Sequence, residues 1–336
     1  MSEAFLSLSD SDRKEALNFA AGETGRPANL LEKDVWVVWT LNTLFNSPFG
    51  QHLVFKGGTS LSKAYGVISR FSEDIDLTYD IRELIPDLAK GKANPMPPTR
   101  SQAGKWIDAV RKSLPGWIET EVVSLLQDQL KAHGLEAVLT QSADKLELEY
   151  QPLVSGSGYV KPIVLMEFGA RSSGEPAELR DVVCDAATVL HQLQFPTARP
   201  RVMNPERTFW EKATAAHVFC KQDGSGAARF ARHWYDLARL HSAGIATTAI
   251  ANIALAREVA EHKQWFFRET TSEGAIDLVA AVNGGLQLVP SDAAFSGLEA
   301  DYAAMSAEGL FFHTPEPFAQ LMEQCGVIER EANIER

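Results

Sequence analysis

One stretch limits what this chain can become more than any other. It is Phe55-Lys56-Gly57-Gly58-Thr59-Ser60-Leu61-Ser62-Lys63-Ala64-Tyr65-Gly66, continued by Ser72-Glu73-Asp74-Ile75-Asp76-Leu77. The apolar run from His52 to Phe55 predicts a strand that feeds two glycines, whose backbone can turn sharply and approach a ligand closely. Thr59 and Ser60 are expected to open a helix there, with free N–H groups facing any phosphate. A second strand then carries Asp74 and Asp76. Two residues apart on a strand means one face, about 7 Å along the chain, with Ile75 and Leu77 turned the other way. Neighbouring carboxylates repel. A divalent cation relieves that repulsion, and hard oxygen ligands suit Mg²⁺, or Mn²⁺ in its place. A phosphate cradle beside paired carboxylates is what metal-assisted nucleotidyl transfer requires.

The rest of the chain bounds the possibilities. At 336 residues it is long enough for one large or two medium domains. Cys184, Cys220 and Cys325 are odd in number and show no metal or redox spacing, so a reducing cytoplasm is expected. The polar start MSEAFLSLSDSDRKE has no leader pattern, and no apolar run reaches the ~20 residues of a membrane span, so no membrane partner is expected. The net charge of −12 argues against non-specific nucleic-acid binding. Its distribution is uneven: residues 274–336 hold ten Asp/Glu against two Lys/Arg, while residues 201–268 hold ten Lys/Arg against six Asp/Glu. A local basic surface for RNA is therefore open in the second segment, as are ordinary solvated helix faces.

In chain order, Ser9 caps a helix predicted to stop at Gly22, and a second helix runs from near Asn29 towards Pro48. Residues 86–100 read as a loop or an inserted segment, and a long helix over 101–133 is expected to break at Pro115-Gly116. A hairpin over 135–140 and 145–150 alternates cleanly in its second arm, with Leu146, Leu148 and Tyr150 inward and Lys145, Glu147 and Glu149 outward. Gly156-Ser157-Gly158 reads as a loop, 159–168 as a strand ending in Met166-Glu167-Phe168, and 182–190 as a further strand. From Asn204, a capping residue followed by Pro205, the pattern becomes helical: 204–221, a Gly224-Ser225-Gly226 turn, a helix through His241, then 247–263, 291–306 and 315–328. The expected fold class is α+β, a core with a mixed sheet over residues 1–200 followed by a helical domain over 201–336.

Three further groups are candidates. Glu167 stands in an apolar strand, where a lone carboxylate is costly unless it is paired or metal-bound; the readings are a third metal ligand, with Asp80 and Asp185 as competitors, or a pair with Arg171. Lys212 shares a helix side with Thr208 and either neutralises a triphosphate or is an ordinary surface lysine. Arg229, Arg232, Asp236 and Arg239 recur at helical spacing, as intrahelical ion pairs or as a stripe for base and phosphate contacts. No Walker spacing, zinc motif or nucleophile elbow is present.

The segments Lys56–Tyr65, Arg70–Leu77, Met166–Arg171, Glu206–Lys212 and Arg232–Leu237 fall in the order of a known family. Over these residues the chain resembles the AbiEii/AbiGii-type nucleotidyltransferase toxins of type IV toxin–antitoxin and phage-defence (abortive-infection) systems. The resemblance implies a DNA polymerase β-like core followed by a helical bundle. It implies that Lys56, Gly57, Gly58, Thr59, Ser60, Lys63, Lys212 and Arg232 bind the nucleotide, that Asp74 and Asp76 bind Mg²⁺, and that Lys212 and Asp236 complete the catalytic set. It also implies an NTP substrate, an RNA acceptor such as the tRNA 3′ end, and an antitoxin partner. Modification of a protein hydroxyl, or GTP binding without transfer, remain open.

Overall fold

A computed structural model describes residues 3–89, 91, 95–155, 160–222 and 229–334. The two glycine-rich segments at 156–158 and 224–226 lie outside these residues. The chain divides into two compact units. The first comprises Met1–Ala64, Ser72–Pro95 and Lys105–Met203; the second comprises Tyr65–Phe71, Met96–Gly104 and Asn204–Arg336. Two short pieces of the N-terminal two-thirds thus fold with the C-terminal part.

The first unit is a mixed sheet with helices, the α+β class that the sequence predicts. Helix α1 (Asp10–Thr24) is capped by Ser9, whose side chain accepts from the Asp12 N–H. It ends at Gly25 rather than Gly22, because Gly25 is the residue that takes the left-handed conformation (φ +69°). Helix α2 (Ala28–Phe45) is buried along most of its length. Strand β1 (Leu53–Lys56) leads into α3 (Gly57–Lys63), and β2 (Ile75–Tyr79) follows. Helices α4 (Arg100–Trp117) and α5 (Ser124–Ala132) precede the hairpin β3 (Ala137–Ser142) and β4 (Lys145–Tyr150). Then come β5 (Ile163–Gly169), β6 (Ala177–Leu179) and β7 (Arg201–Met203). These seven strands form one sheet in the order β3-β4-β5-β2-β1-β7-β6. The β2–β5 and β1–β7 pairs are parallel and the others antiparallel. Leu53, Val54, Phe55, Ile75, Leu77, Val164 and Met166 are all fully buried, which places the core against the middle of the sheet.

Two expectations fail for instructive reasons. The 182–190 segment is not one strand: only Val182–Val183 pairs, and Asp185–Thr188 forms a 3₁₀ turn. Nor does the long helix break at Pro115. Proline sits inside α4, and the backbone widens just afterwards into a π-helix over Ile118–Val123 before α5 begins. The cause lies in the buried residues Trp106, Val110, Leu114, Ile118, Val122, Leu126 and Leu130, which recur every fourth position. At 3.6 residues per turn, a four-residue repeat drifts about 40° each step. A wider turn absorbs the accumulated drift and returns the apolar stripe to the core.

The second unit is helical. It contains α6 (Pro205–Lys221), α7 (Arg232–Ser242), α8 (Ile245–Ala251), α9 (Ile253–Phe266), α10 (Asp292–Ala307) and α11 (Phe318–Ala332). Asn204 stands at the start of α6, but its side chain makes no capping bond. The 247–263 pattern is two helices, with Asn252 capping the second through the Leu255 N–H. Residues 65–71 join this unit by backbone bonds from Phe71 N–H to Leu310 and from Phe312 N–H to Ser69.

His217 on α6 is buried, and its Nδ1 accepts the Gln287 N–H at 3.0 Å. Burial lowers its pKa from 6.5 to about 4. The unfolded chain then takes up a proton before the folded one, so this contribution is full above about pH 6.5 and is lost as pH falls towards 4. Urea denaturation at about pH 5 and about pH 7 should show His217→Gln losing ~2 kcal/mol less stability than the parent over that interval. Equal losses in the two proteins would remove His217 from the acid response.

Candidate functional site

The glycine turn and the acid strand meet inside the first unit. Antiparallel pairing sets Lys56 opposite Asp76 and Phe55 opposite Leu77. The chain turns immediately: Gly57 has φ +78° and is already the first residue of α3, two positions earlier than the sequence predicts. A Cβ on Gly57 would lie 1.9 Å from Asp76 Oδ2 and 2.7 Å from its Cγ. Both the backbone conformation and the space therefore require glycine. The hydroxyls of the next two residues are turned to the protein. Thr59 Oγ1 donates to the Asp74 carbonyl at 2.6 Å and lies 3.0 Å from Ser72 Oγ, and Ser60 Oγ donates to the Gly57 carbonyl. Thr59 and Ser60 are buried and tie the turn to the acid segment; the backbone N–H groups are what the turn offers to an anion.

Asp76 lies on β2 and Asp74 just before it, both half-buried. Glu167 is the register partner of Asp76 on β5, and Lys145 on β4 is the register partner of Glu167. Glu167 is not sunk in the apolar core: its side chain is 37% exposed and forms an ion pair with Lys145, not with Arg171 as one expectation held. The hydrogen bond to Glu167 raises the Lys145 ammonium above its ordinary range. Among the described residues, no group of three His, Cys, Asp or Glu side chains converges to hold a metal. Two half-buried carboxylates two residues apart, one of them against the Gly57 turn, still fit Mg²⁺, which is usually held by one or two carboxylates plus substrate phosphates.

The other acid candidates are engaged elsewhere. Asp80 caps the turn at 81–84 through the Arg82 N–H and pairs with the Arg82 side chain. Asp185 pairs with Arg26 and with Lys63. Lys63, expected at the nucleotide, has its ammonium 2.6 Å from Asp34 and 2.8 Å from Asp185, with the side chain only 10% exposed. It fastens α3 to α2 and to the 185–188 turn.

A second constellation lies wholly in the helical unit. Asp236 on α7 is fully buried and accepts two hydrogen bonds from Arg70, both 2.7 Å, while Lys212 on α6 approaches it at 2.8 Å. Lys212 is thus no surface lysine. The polar stripe dissolves: Arg229 precedes α7, Arg232 is exposed, and Arg239 pairs with Glu316. Burial opposes ionisation of Asp236, but Arg70 and then Lys212 outweigh it and hold the carboxyl well below the usual range. Arg70 and Lys212 thus both direct their charge at this one carboxylate. Nothing in the sequence assigns Arg70 a role, because its partner is 166 residues away and no local pattern links them. The basic surface suggested by residues 201–268 is weaker than the count implies. Arg207, only 3% exposed, pairs with Glu211 and Glu258, and Lys263 donates to the Glu211 carbonyl.

A family model described as "Nucleotidyl transferase AbiEii toxin, Type IV TA system" matches residues 39–324. Among solved structures, the chain is similar to MenT4, a nucleotidyltransferase toxin from Mycobacterium tuberculosis H37Rv, at 16% identity and a TM-score of 0.41, covering 98% of this chain and 100% of that one. No curated protein matches.

Because removing one member strands buried charge, Asp236→Asn should lose about 3–5 kcal/mol in urea denaturation near neutral pH. Combining it with Arg70→Met should cost clearly less than the two single losses added together. Additive losses would show that the two side chains do not act as a pair.

Proposed function

We propose, from the premise that this chain belongs to the AbiEii nucleotidyltransferase toxin family of type IV toxin–antitoxin systems, that it transfers a nucleoside monophosphate from an NTP to RNA, with the 3′ acceptor end of tRNA as target. The observation that carries the reading is the contact between Gly57 and Asp76, which joins the turn to the acid strand with no room for a side chain. On this reading the backbone of Gly57, Gly58, Thr59 and Ser60 cradles the triphosphate, with Lys56 beside it. Asp74 and Asp76 hold Mg²⁺, which when bound supplies positive charge that acidifies the attacking hydroxyl and offsets charge on the leaving pyrophosphate. Lys212 supplies charge to the phosphates, oriented by Asp236, and the exposed Arg232 is a further phosphate contact. Lys63 supports α3 from behind through Asp34. The acceptor oxygen forms a bond to the α-phosphorus, the bond from that phosphorus to the bridging oxygen breaks, and a carboxylate (Asp76 or Glu167) takes the hydroxyl proton.

An antitoxin partner follows from the family. Among the described residues no helix is long and apolar enough to cross a membrane. All three cysteines are free and buried, which suits a reducing cytoplasm. A protein acceptor is the second reading, favoured by the net charge of −12 and by the inward pairing of cations in residues 201–268.

Incubating the protein with each labelled NTP, Mg²⁺ and total cell extract should place label on RNA of tRNA size. Label on polypeptide would select the protein acceptor, and no label on either would defeat transfer. Asp74→Ala and Asp76→Ala should each reduce incorporation by about a thousandfold or more while circular dichroism stays unchanged. Full incorporation by either variant would remove that residue from the site.

A further inference from the structure

Four charged residues stand in one register row across neighbouring strands: Lys56 on β1, Asp76 on β2, Glu167 on β5 and Lys145 on β4. Register partners share a face, so the row reads plus, minus, minus, plus. The two carboxylates are neighbours across a parallel pair, with strands about 4.8 Å apart, where like charges repel. Glu167 relieves this by turning to Lys145, on the side away from Asp76. The pair is not there for stability. With side chains 53% and 37% exposed, it belongs to the class worth at most about 1 kcal/mol. Its effect is directional. A glutamate beside Asp76, with no cation on its other flank, is free to turn towards a metal held by the acid strand.

We propose that Lys145 is a positioning residue that holds Glu167 out of the divalent-metal site, leaving it, among the described residues, to the carboxylates of Asp74 and Asp76. This rests on the reading of Asp74 and Asp76 as metal ligands. Two carboxylates bind a hard cation more weakly than three, so the metal comes to depend on oxygen ligands brought by the nucleotide phosphates. The free protein is thereby kept from filling its site with metal before substrate arrives. Lys145 sits at the end of the tight β3–β4 turn, and the Asp144 carbonyl accepts the Phe168 N–H at 2.9 Å. The ammonium is thus carried on a hairpin end that is itself bonded to the strand bearing Glu167.

The test is Mn²⁺ binding without nucleotide, followed by the electron paramagnetic resonance signal of free Mn²⁺, on the full chain. Lys145→Met should tighten binding about tenfold, the scale of other changes to groups that orient ligands. Lys145→Arg, which keeps the pair, should leave it unchanged, and so should Glu167→Gln. Lys145→Met combined with Glu167→Gln should return to the parent value. Three results would overturn the inference: no tightening in Lys145→Met, tightening that survives in the double variant, or weakening in Glu167→Gln alone. The second would mean simple loss of a positive charge, and the third that Glu167 is already a ligand. Lys145→Gln replaces the Met variant if that one fails to fold. Mn²⁺ binding that persists in Asp74→Ala would instead defeat the underlying assignment of the metal to the acid strand, which keeps the two failures apart.

Discussion

The first unit depends on a missing methyl group. Lys56 and Asp76 are paired across β1 and β2, and the chain leaves β1 by folding back over the Asp76 carboxylate at a distance no side chain would allow. That close approach converts two ordinary strands into a place where backbone N–H groups and carboxylates share one small region. The surrounding bonds keep it so. Thr59 holds the Asp74 carbonyl, Ser60 holds the Gly57 carbonyl, and Lys63 binds Asp34 and Asp185 at the far end of α3. The short helix is thus fixed at both ends by polar contacts, while Leu61 on its inner side is fully buried.

The helical unit solves a different problem. Arg70, Lys212 and Asp236 are removed from water, and their mutual attraction must offset the loss of hydration. Such an arrangement contributes more to uniqueness than to stability, since most misplacements of the three chain segments would leave a charge buried alone. It also fixes the direction of the Lys212 ammonium, which a solvent-exposed lysine with four rotatable bonds could not keep.

The features visible in the sequence were those whose cause is local. Alternation in Lys145–Tyr150 predicts its buried side, and glycines followed by Asp-x-Asp predict a turn beside an acid strand. Chain-end signals were less reliable. Gly22 and Gly25 both suit a helix stop, and only the backbone conformation separates them. What pattern could not supply was partnership. Lys212 has the same helical setting as a surface lysine, and nothing near it in sequence shows that Asp236 and Arg70 meet it. Glu167 looked like a buried acid because its neighbours are apolar, yet alternation in β5 sends it to the half-exposed side with Lys145. In the same way a count of cations in 201–268 overstated the basic surface, because Arg207 and Lys212 face inward.

The widened turn at Ile118–Val123 has a consequence of its own. A π-turn is one residue more than an α-helix needs, so this helix carries a phase offset between its two halves, stored in the backbone. The apolar residues keep their four-residue spacing through it, with Leu114 before it, Ile118 and Val122 within it, and Leu126 and Leu130 after it. The helix thus behaves like two rods spliced with a rotational shim, and the length of that shim, rather than the identity of any side chain in it, determines which way the second rod faces.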